Sequence, residues 1–179
     1  MFDETLKTQR LVLRPPVEED ASRLVELLDN WNVVKTLAQV PYPYKPEHAE
    51  EFLVRCKRRR NADDRIDYCM TMDGELLGFV GIALRSGGPN LGYWLGEPYW
   101  GRGIATEAVG AVVAAFFRSS ERPALMSGIF LGNDASMAVQ RKFGFEVVGE
   151  SSMMCVARGI AVTHIDTVLT RQRHEELQS

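Results

Sequence analysis

Tyr99-Trp100-Gly101-Arg102-Gly103-Ile104-Ala105-Thr106-Glu107-Ala108 puts two glycines, one residue apart, at the head of a long apolar segment. That arrangement suits an anion. Gly101 and Gly103 can adopt backbone angles closed to other residues and let a ligand approach the main chain. A helix beginning near Ile104 would aim its unpaired first-turn N–H groups and its positive dipole end at the same point. The ligand that fits best is a phosphate or pyrophosphate. A dinucleotide fingerprint would need a third glycine where Thr106 stands, and an acid about 20 residues further on, whereas Asp134 lies too far along. A nucleoside-triphosphate loop would need a Gly-Lys pair, which the chain lacks. There is no HExxH pair, nucleophile elbow or zinc-ligand spacing.

The elements that must position this cradle can be read from periodicity. Arg10 to Arg14 reads as a strand stopped by Pro15-Pro16, and Ala21, Leu24, Val25 and Leu28 recur at helical spacing after it. From Trp31 to Lys45 the pattern is irregular, with Pro41, Pro43 and Pro46 marking a loop. Its Tyr42 and Tyr44 either line a pocket or pack on the domain as loop aromatics. Pro46 can open a helix with Ala49, Phe52, Leu53 and Cys56 on one face. Arg55, Lys57, Arg58, Arg59 and Arg60 then form a solvated helix end, since a nucleic-acid patch would normally come with a basic domain.

Ile66, Tyr68, Met70 and Met72 alternate with Asp67, Cys69, Thr71 and Asp73, and Asp73-Gly74 is hairpin-turn chemistry leading into a strand from Leu76 to Leu84. After a break at Ser86-Gly87-Gly88-Pro89, Leu91 to Leu95 forms a short strand running into the glycine turn. The helix from Ile104 to about Arg118 is apolar almost all round and should pack on a sheet. Leu125 to Phe130 is a strand and Asn133 to Lys142 a short helix ended by Gly144; two more strands flank an Arg158-Gly159 turn. The order predicts an α/β or α+β sheet whose strand ends meet near the anion site.

Composition narrows the setting. The 179 residues, 45% hydrophobic and 25% charged, fit one globular domain with a real core. A net charge of −3 supplies no general attraction for nucleic acid or an anionic membrane and is compatible with an amine substrate. Cys56, Cys69 and Cys155 show no paired spacing, which favours a reducing compartment. No stretch approaches the ~20 apolar residues of a membrane span, and the first fourteen residues do not resemble a signal peptide, so a cytoplasmic protein is expected.

Trp100-Gly101-Arg102-Gly103-Ile104-Ala105 resembles the Gln/Arg-x-x-Gly-x-Gly/Ala signature of the GNAT N-acetyltransferase superfamily, with Trp100 departing at the first position. That departure is common in the branch of ribosomal-protein alanine and serine N-acetyltransferases. Thr8 to Pro15 with Glu19-Asp20-Ala21 resembles the opening strand and helix of that branch. Asn133-Asp134-Ala135-Ser136 followed by Arg141 to Phe145 resembles its second signature, and His164 to Leu169 its last strand. The resemblance implies one N-acetyltransferase domain over residues 1–179. Its central mixed sheet would have about seven strands, antiparallel in the first half, with a splayed parallel pair at the cofactor site and helices on both faces.

It also implies acetyl transfer from acetyl-CoA to a primary amine by direct attack, with no metal. The pyrophosphate would take backbone N–H groups from Gly101, Arg102, Gly103, Ile104, Ala105 and Thr106, with the Arg102 side chain as a charged partner. The pantetheine arm would lie along Tyr93, Trp94 and Leu95, although core packing also accounts for the first two. An ammonium must lose a proton before it attacks, and Asp166, then Glu97, are the candidate bases. An acid that only fixes the sheet is an equal account of Asp166, and Glu107 has a structural or dipole role.

Many relatives protonate the leaving thiolate with a tyrosine where this chain has Gln140, so the role moves to Ser136, with Asn133 on the pantetheine arm. Helix chemistry would itself place Asn133 as an N-cap and Ser136 in the first turn, and the readings are compatible. His164 could shuttle protons, though a lone histidine on a strand is more often a bystander. The acceptor is first a protein N-terminus, with a small amine, amino acid or amine antibiotic open, because the loop from Trp31 to Lys45 that would shape its site carries no readable code; no nucleic-acid or membrane partner is expected, and the chain is a monomer or homodimer. The alternative is a CoA-binding sensor or interaction module that has lost catalysis.

Overall fold

The structure, a computed structural model, describes residues 4–61, 65–85 and 87–178. Its centre is the Asp73-Gly74 hairpin, where both residues have positive φ (52° and 83°) and Met72 pairs with Glu75, as a tight two-residue turn requires. The strands it joins are β3 (Arg65–Met72) and β4 (Glu75–Arg85). Before them in the chain come β1 (Leu6–Lys7), β2 (Val12–Arg14), α1 (Ala21–Leu28), α2 (Trp31–Val34) and α3 (Pro46–Asn61). After them come β5 (Gly88–Leu95), α4 (Ile104–Ser119), β6 (Ala124–Phe130), α5 (Asp134–Lys142), β7 (Glu146–Cys155), β8 (Ile160–Thr170) and α6 (Arg171–Glu176).

Among the described residues the strands form one sheet in the order β1-β2-β3-β4-β5-β6-β8-β7. All neighbours are antiparallel except β5 and β6, which run parallel and are paired at a single position, Asn90 with Met126. Beyond that pair the two strands part. The sheet is thus antiparallel in its first half, with a splayed parallel pair in the middle and helices on both faces, as the resemblance implies.

The two faces explain the sequence pattern. Tyr68, Met70, Leu77, Val80 and Ile82 pack with Val109, Val112, Val113 and Phe116 of α4. Cys69, Leu76 and Phe79 pack on the other face with Leu24, Leu27, Leu28, Val33, Val34 and Leu53 of α1, α2 and α3. Each large apolar side chain so buried stabilises the fold by about 1.5–3 kcal/mol. α4 is apolar on nearly every side because it lies across this sheet. At the corner between β2 and α1, the buried Asp20 carboxylate accepts both Arg14 guanidinium nitrogens at 2.7 and 2.8 Å and the Val17 N–H at 2.9 Å. Burial alone would raise its pKa, but these bonds hold it below the usual aspartate range.

Several details differ from the expectation. The Trp31–Lys45 stretch contains α2, a single turn capped by the Asn30 side chain, which accepts from the Asn32 N–H. One turn is too short to register as periodicity. β5 already begins at Gly88, so the break before it is shorter than expected, and Ser86 lies outside the described residues. β1 and α6 add to the expected elements. Tyr44 is buried in the second core cluster, and burial pushes its phenol up to about 12. Tyr42 is exposed and meets Trp31 edge-on at 5.4 Å, so loop packing is the account that holds for both tyrosines.

Candidate active site

The cradle begins where β5 ends. Gly101 and Gly103 have φ of 73° and 74°, the left-handed region that favours glycine. A Cβ on Gly101 would meet nothing within 4 Å, so backbone angle rather than crowding requires the glycine there. Gly103 is the N-cap of α4 and offers no side chain to the first turn, so the N–H groups of Ile104, Ala105 and Thr106 face outward with the positive end of the helix dipole.

Glu107 ties this turn to the N-terminal strands. Its carboxylate accepts from Thr8 Oγ1 at 2.6 Å and from the Arg10 N–H and Nε at 2.7 Å each. Arg10 Nη1 in turn donates to the Arg102 carbonyl at 2.9 Å. Burial would raise the Glu107 pKa; the three donors hold it below the ordinary glutamate range. The Arg102 guanidinium lies over the Tyr99 ring, 5.8 Å from its centroid, and does not line the cleft.

From the cradle a cleft of about 1070 Å³ runs along the gap between β5 and β6. Gly101, Gly103, Ile104, Ala105 and Thr106 line one end, and Tyr93, Trp94 and Leu95 line the β5 wall. Past Asn90 the β5 backbone edge that would face β6 has no strand partner, apart from the Leu91 carbonyl, which accepts from Ser127 Oγ at 3.0 Å. Trp100 anchors the turn by donating from Nε1 to the Leu95 carbonyl at 2.7 Å.

Asn133 and Ser136 face the cleft from α5. Asn133 caps the helix, its side-chain oxygen accepting from the Ser136 N–H. Ser136 Oγ lies 2.7 Å from the Tyr93 hydroxyl, which also donates to the Ser136 carbonyl at 3.0 Å. Burial pushes the Tyr93 phenol up, against the hydrogen bonds from its neighbours, and keeps it protonated. Gln140 is fully buried and does not line the cleft. Its Nε2 donates to Ser127 Oγ at 3.0 Å and its Oε1 accepts from Thr167 Oγ1 at 2.6 Å, which joins α5 to β6 and β8.

The other end of the cleft is assembled from remote segments. Val33 to Gln39 meets Met153, Met154, Val156 and Arg158 across it. The two are tied where the Val156 N–H donates to the Ala38 carbonyl at 3.0 Å and Arg158 Nε to the Lys35 carbonyl at 2.8 Å. His164 of β8 lines the same region, with Nδ1 2.8 Å from Asp166 Oδ1. Asp166 itself lies behind the histidine, where it also accepts from Ser151 Oγ at 3.2 Å. Glu97 stands off the cleft and accepts from the amides of Asn30 and Asn32 at 2.6 and 2.9 Å. Among the described residues no carboxylate lines the cleft, while Lys35, Lys142 and Arg158 do. The Val33–Gln39 wall belongs to the Trp31–Lys45 stretch expected to shape the acceptor site, whereas nothing in the sequence pointed to the Met153–Arg158 wall, which no motif marks.

Among the described residues no cluster of His, Cys, Asp and Glu is placed to hold a metal ion, and no helix is long and apolar enough to cross a membrane. Residues 10–146 match the family model described as Acetyltransferase (GNAT) domain. The chain belongs to the GNAT acetyltransferase family. This GNAT protein is 28% identical over 159 residues to an uncharacterised N-acetyltransferase of Schizosaccharomyces pombe, covering 80% of this chain and 85% of the relative. It is 26% identical over 149 residues to YdaF of Bacillus subtilis, whose name provisionally assigns ribosomal N-acetylation, covering 80% and 81%. Its fold matches RimL, a ribosomal L7/L12 α-N-protein acetyltransferase solved with coenzyme A, with a TM-score of 0.83 at 20% identity, covering 93% of this chain and 98% of RimL. The names of YdaF and RimL place those two in the ribosomal-protein branch that the sequence resembles.

Proposed function

We propose that residues 1–179 form one acetyl-CoA-dependent N-acetyltransferase domain that moves an acetyl group to a primary amine by direct attack. The observation that carries this reading is the capless N-terminus of α4, with its two left-handed glycines, opening into a cleft between diverging parallel strands. The coenzyme A in the RimL neighbour supports the same ligand. In this reading the backbone N–H groups of Gly101 and Gly103 to Thr106 hold the pyrophosphate, with Arg102 close by. The unpaired β5 edge at Tyr93, Trp94 and Leu95 receives the pantetheine amides, and Asn133 Nδ2, free of the cap, reaches the same arm.

The thioester supplies an activated acyl group, and the chain must expel its sulfur. Ser136 Oγ donates to the departing thiolate, and the Tyr93 hydroxyl, 2.7 Å away, turns its single proton from the Ser136 carbonyl to Oγ as it does so. The phenol thus stands in, from a different element, for the tyrosine that Gln140 replaces. The acceptor is a protein N-terminus in the first instance, supported by the names of YdaF and RimL, with small amines open. The protein works in the cytoplasm as a monomer or homodimer. A second reading, a CoA-binding module without catalysis, is favoured by one observation: Gln140 is buried and engaged with Ser127 and Thr167, where it cannot protonate sulfur. Calorimetric titration with acetyl-CoA followed by thiol-release assays on peptides and small amines separates the readings. Turnover on any amine supports the enzyme, and binding without turnover supports the module.

A further inference from the structure

An attacking ammonium needs a base in the cleft. Among the described residues no carboxylate lines it, and the lysines and the arginine that do are themselves cations. Two tyrosines line it, Tyr93 and Tyr99, and burial raises the pKa of each, so neither accepts a proton near neutrality. His164 is the remaining titratable side chain on the wall. It is a half-buried strand residue whose ring is held from three sides. Asp166 Oδ1 lies 2.8 Å from Nδ1, Phe130 meets the ring edge-on at 6.0 Å, and the ring fills the space beside Gly128, where a Cβ would fall 2.2 Å from His164 Cε1.

We infer that His164 is the general base of this protein and Asp166 its positioning residue, an inference that rests on the acetyltransferase reading above. A carboxylate can only accept, so the Nδ1–H donates to Asp166 and the lone pair is left on Nε2, which has no hydrogen-bond partner among the described residues. The hydrogen bond fixes the tautomer, and the ring, whose Cε1 and Nε2 lie over Gly128, belongs to a residue that lines the cleft. Asp166 on the same strand is its charged partner, Lys35, Arg158 and Lys142 are the other charged side chains that line the cleft, and on β6 and β7 it meets Gly128, Phe130 and Ser151.

The step balances without a redox partner. Nε2 takes one proton from the substrate ammonium, and the freed nitrogen lone pair forms the C–N bond to the thioester carbonyl carbon. The C–S bond breaks, the thiolate sulfur takes the second nitrogen-derived proton by way of Ser136, and the imidazolium returns its proton to solvent. The cleft therefore has its base on β8 and its acid on α5.

The test compares wild type, His164→Gln and Asp166→Ala for thiol release against pH, with acetyl-CoA affinity measured on the same samples. His164→Gln should lower kcat/KM about 100-fold near pH 7, leave acetyl-CoA affinity within about twofold, and regain rate with added imidazole and with rising pH, as the amine loses its own proton. Asp166→Ala should lower kcat about tenfold, and the nitrogen NMR signature of His164 should shift from the Nδ1–H tautomer toward a mixture. That spectral change does not depend on turnover. Active wild type with an unaltered rate and pH profile in His164→Gln would overturn the dyad and leave the acetyltransferase reading standing. Wild type that binds acetyl-CoA and acetylates no amine would overturn both. Should His164→Gln fail to bind acetyl-CoA, the Asp166→Ala tautomer and pH profile decide alone, and no change in either sinks the proposal.

Discussion

In the proposed reading, the donor end of the cleft takes its chemistry from main chain within six consecutive residues, whereas the acceptor end takes it from side chains carried by α2 and its following loop, by β7 and by β8. The donor end needs only two left-handed glycines and a helix start, and its N–H groups point the same way whatever side chains surround them. The acceptor end exists only after residues more than a hundred positions apart meet, as Lys35 and Arg158 do. A diphosphate handle can be read by local backbone; an amine must be read by tertiary structure. The contrast also bears on variation, since the acceptor wall can change residue by residue without touching the cradle.

Substitutions can break or sharpen that contrast. The largest effect is expected behind the cleft, where Gln140 ties α5, which carries Asn133 and Ser136, to β6 and to β8, which carries His164. Gln140→Leu removes the partner of Ser127, which keeps its bond to the Leu91 carbonyl, and of Thr167, whose hydroxyl would be left buried. It should cost about 2–4 kcal/mol in denaturant unfolding, within the range for unmade buried hydrogen bonds plus local misfit. A cost below about 0.5 kcal/mol would mean that Gln140 does not tie α5 to those strands.

Next is the donor end. Gly103→Val puts a β-branched residue at φ of 74°, which costs about 1–2 kcal/mol in backbone strain at the turn that aims the N–H groups, and its Cβ would fall 3.5 Å from Arg10 Nη2. Calorimetry should show acetyl-CoA affinity reduced at least about tenfold, and unchanged affinity would remove the cradle from cofactor binding. Ser136→Ala should reduce turnover about tenfold with cofactor affinity nearly unaltered, since its contact matters when the thiolate departs. Equal losses in turnover and affinity would place it in ground-state binding instead.

The smallest effect concerns the Glu107 clamp. Its carboxyl is held below the ordinary glutamate range, so its stabilisation is fully present above that range and is lost as pH falls through the depressed folded value. Glu107→Gln should cost about 1 kcal/mol at neutral pH, because one partner, Arg10, is substantially exposed, and the difference from wild type should vanish in acid. A difference that persists at low pH would assign the clamp to packing rather than charge.

The same contrast decides what could be read in advance. The hairpin at Asp73-Gly74, the apolar α4 and the glycine cradle rest on local chemistry, and each stands where the sequence pattern puts it. Ser136 and Asn133 face the cleft because a capped helix start fixes their direction. Tyr93 was read as a strand residue beside the cofactor, yet its bond to Ser136 spans 43 positions and depends on how α5 packs. His164 looked like a bystander for the same reason: its link to Asp166 is local, but its exposure to the cleft depends on the splay of β5 from β6. The loop tyrosines Tyr42 and Tyr44 drew attention by type, while the wall was made by neighbours with no chemical signature.

The central claim, that one cleft joins a backbone-read donor to an amine acceptor, is tested most directly by titrating the protein with acetyl-CoA and then following thiol release with a peptide N-terminus and a panel of small amines. Saturable acetyl-CoA binding that Gly103→Val weakens is expected, with release of free thiol in the presence of at least one amine. Absence of binding to any coenzyme A species would rule out the backbone cradle as the donor site.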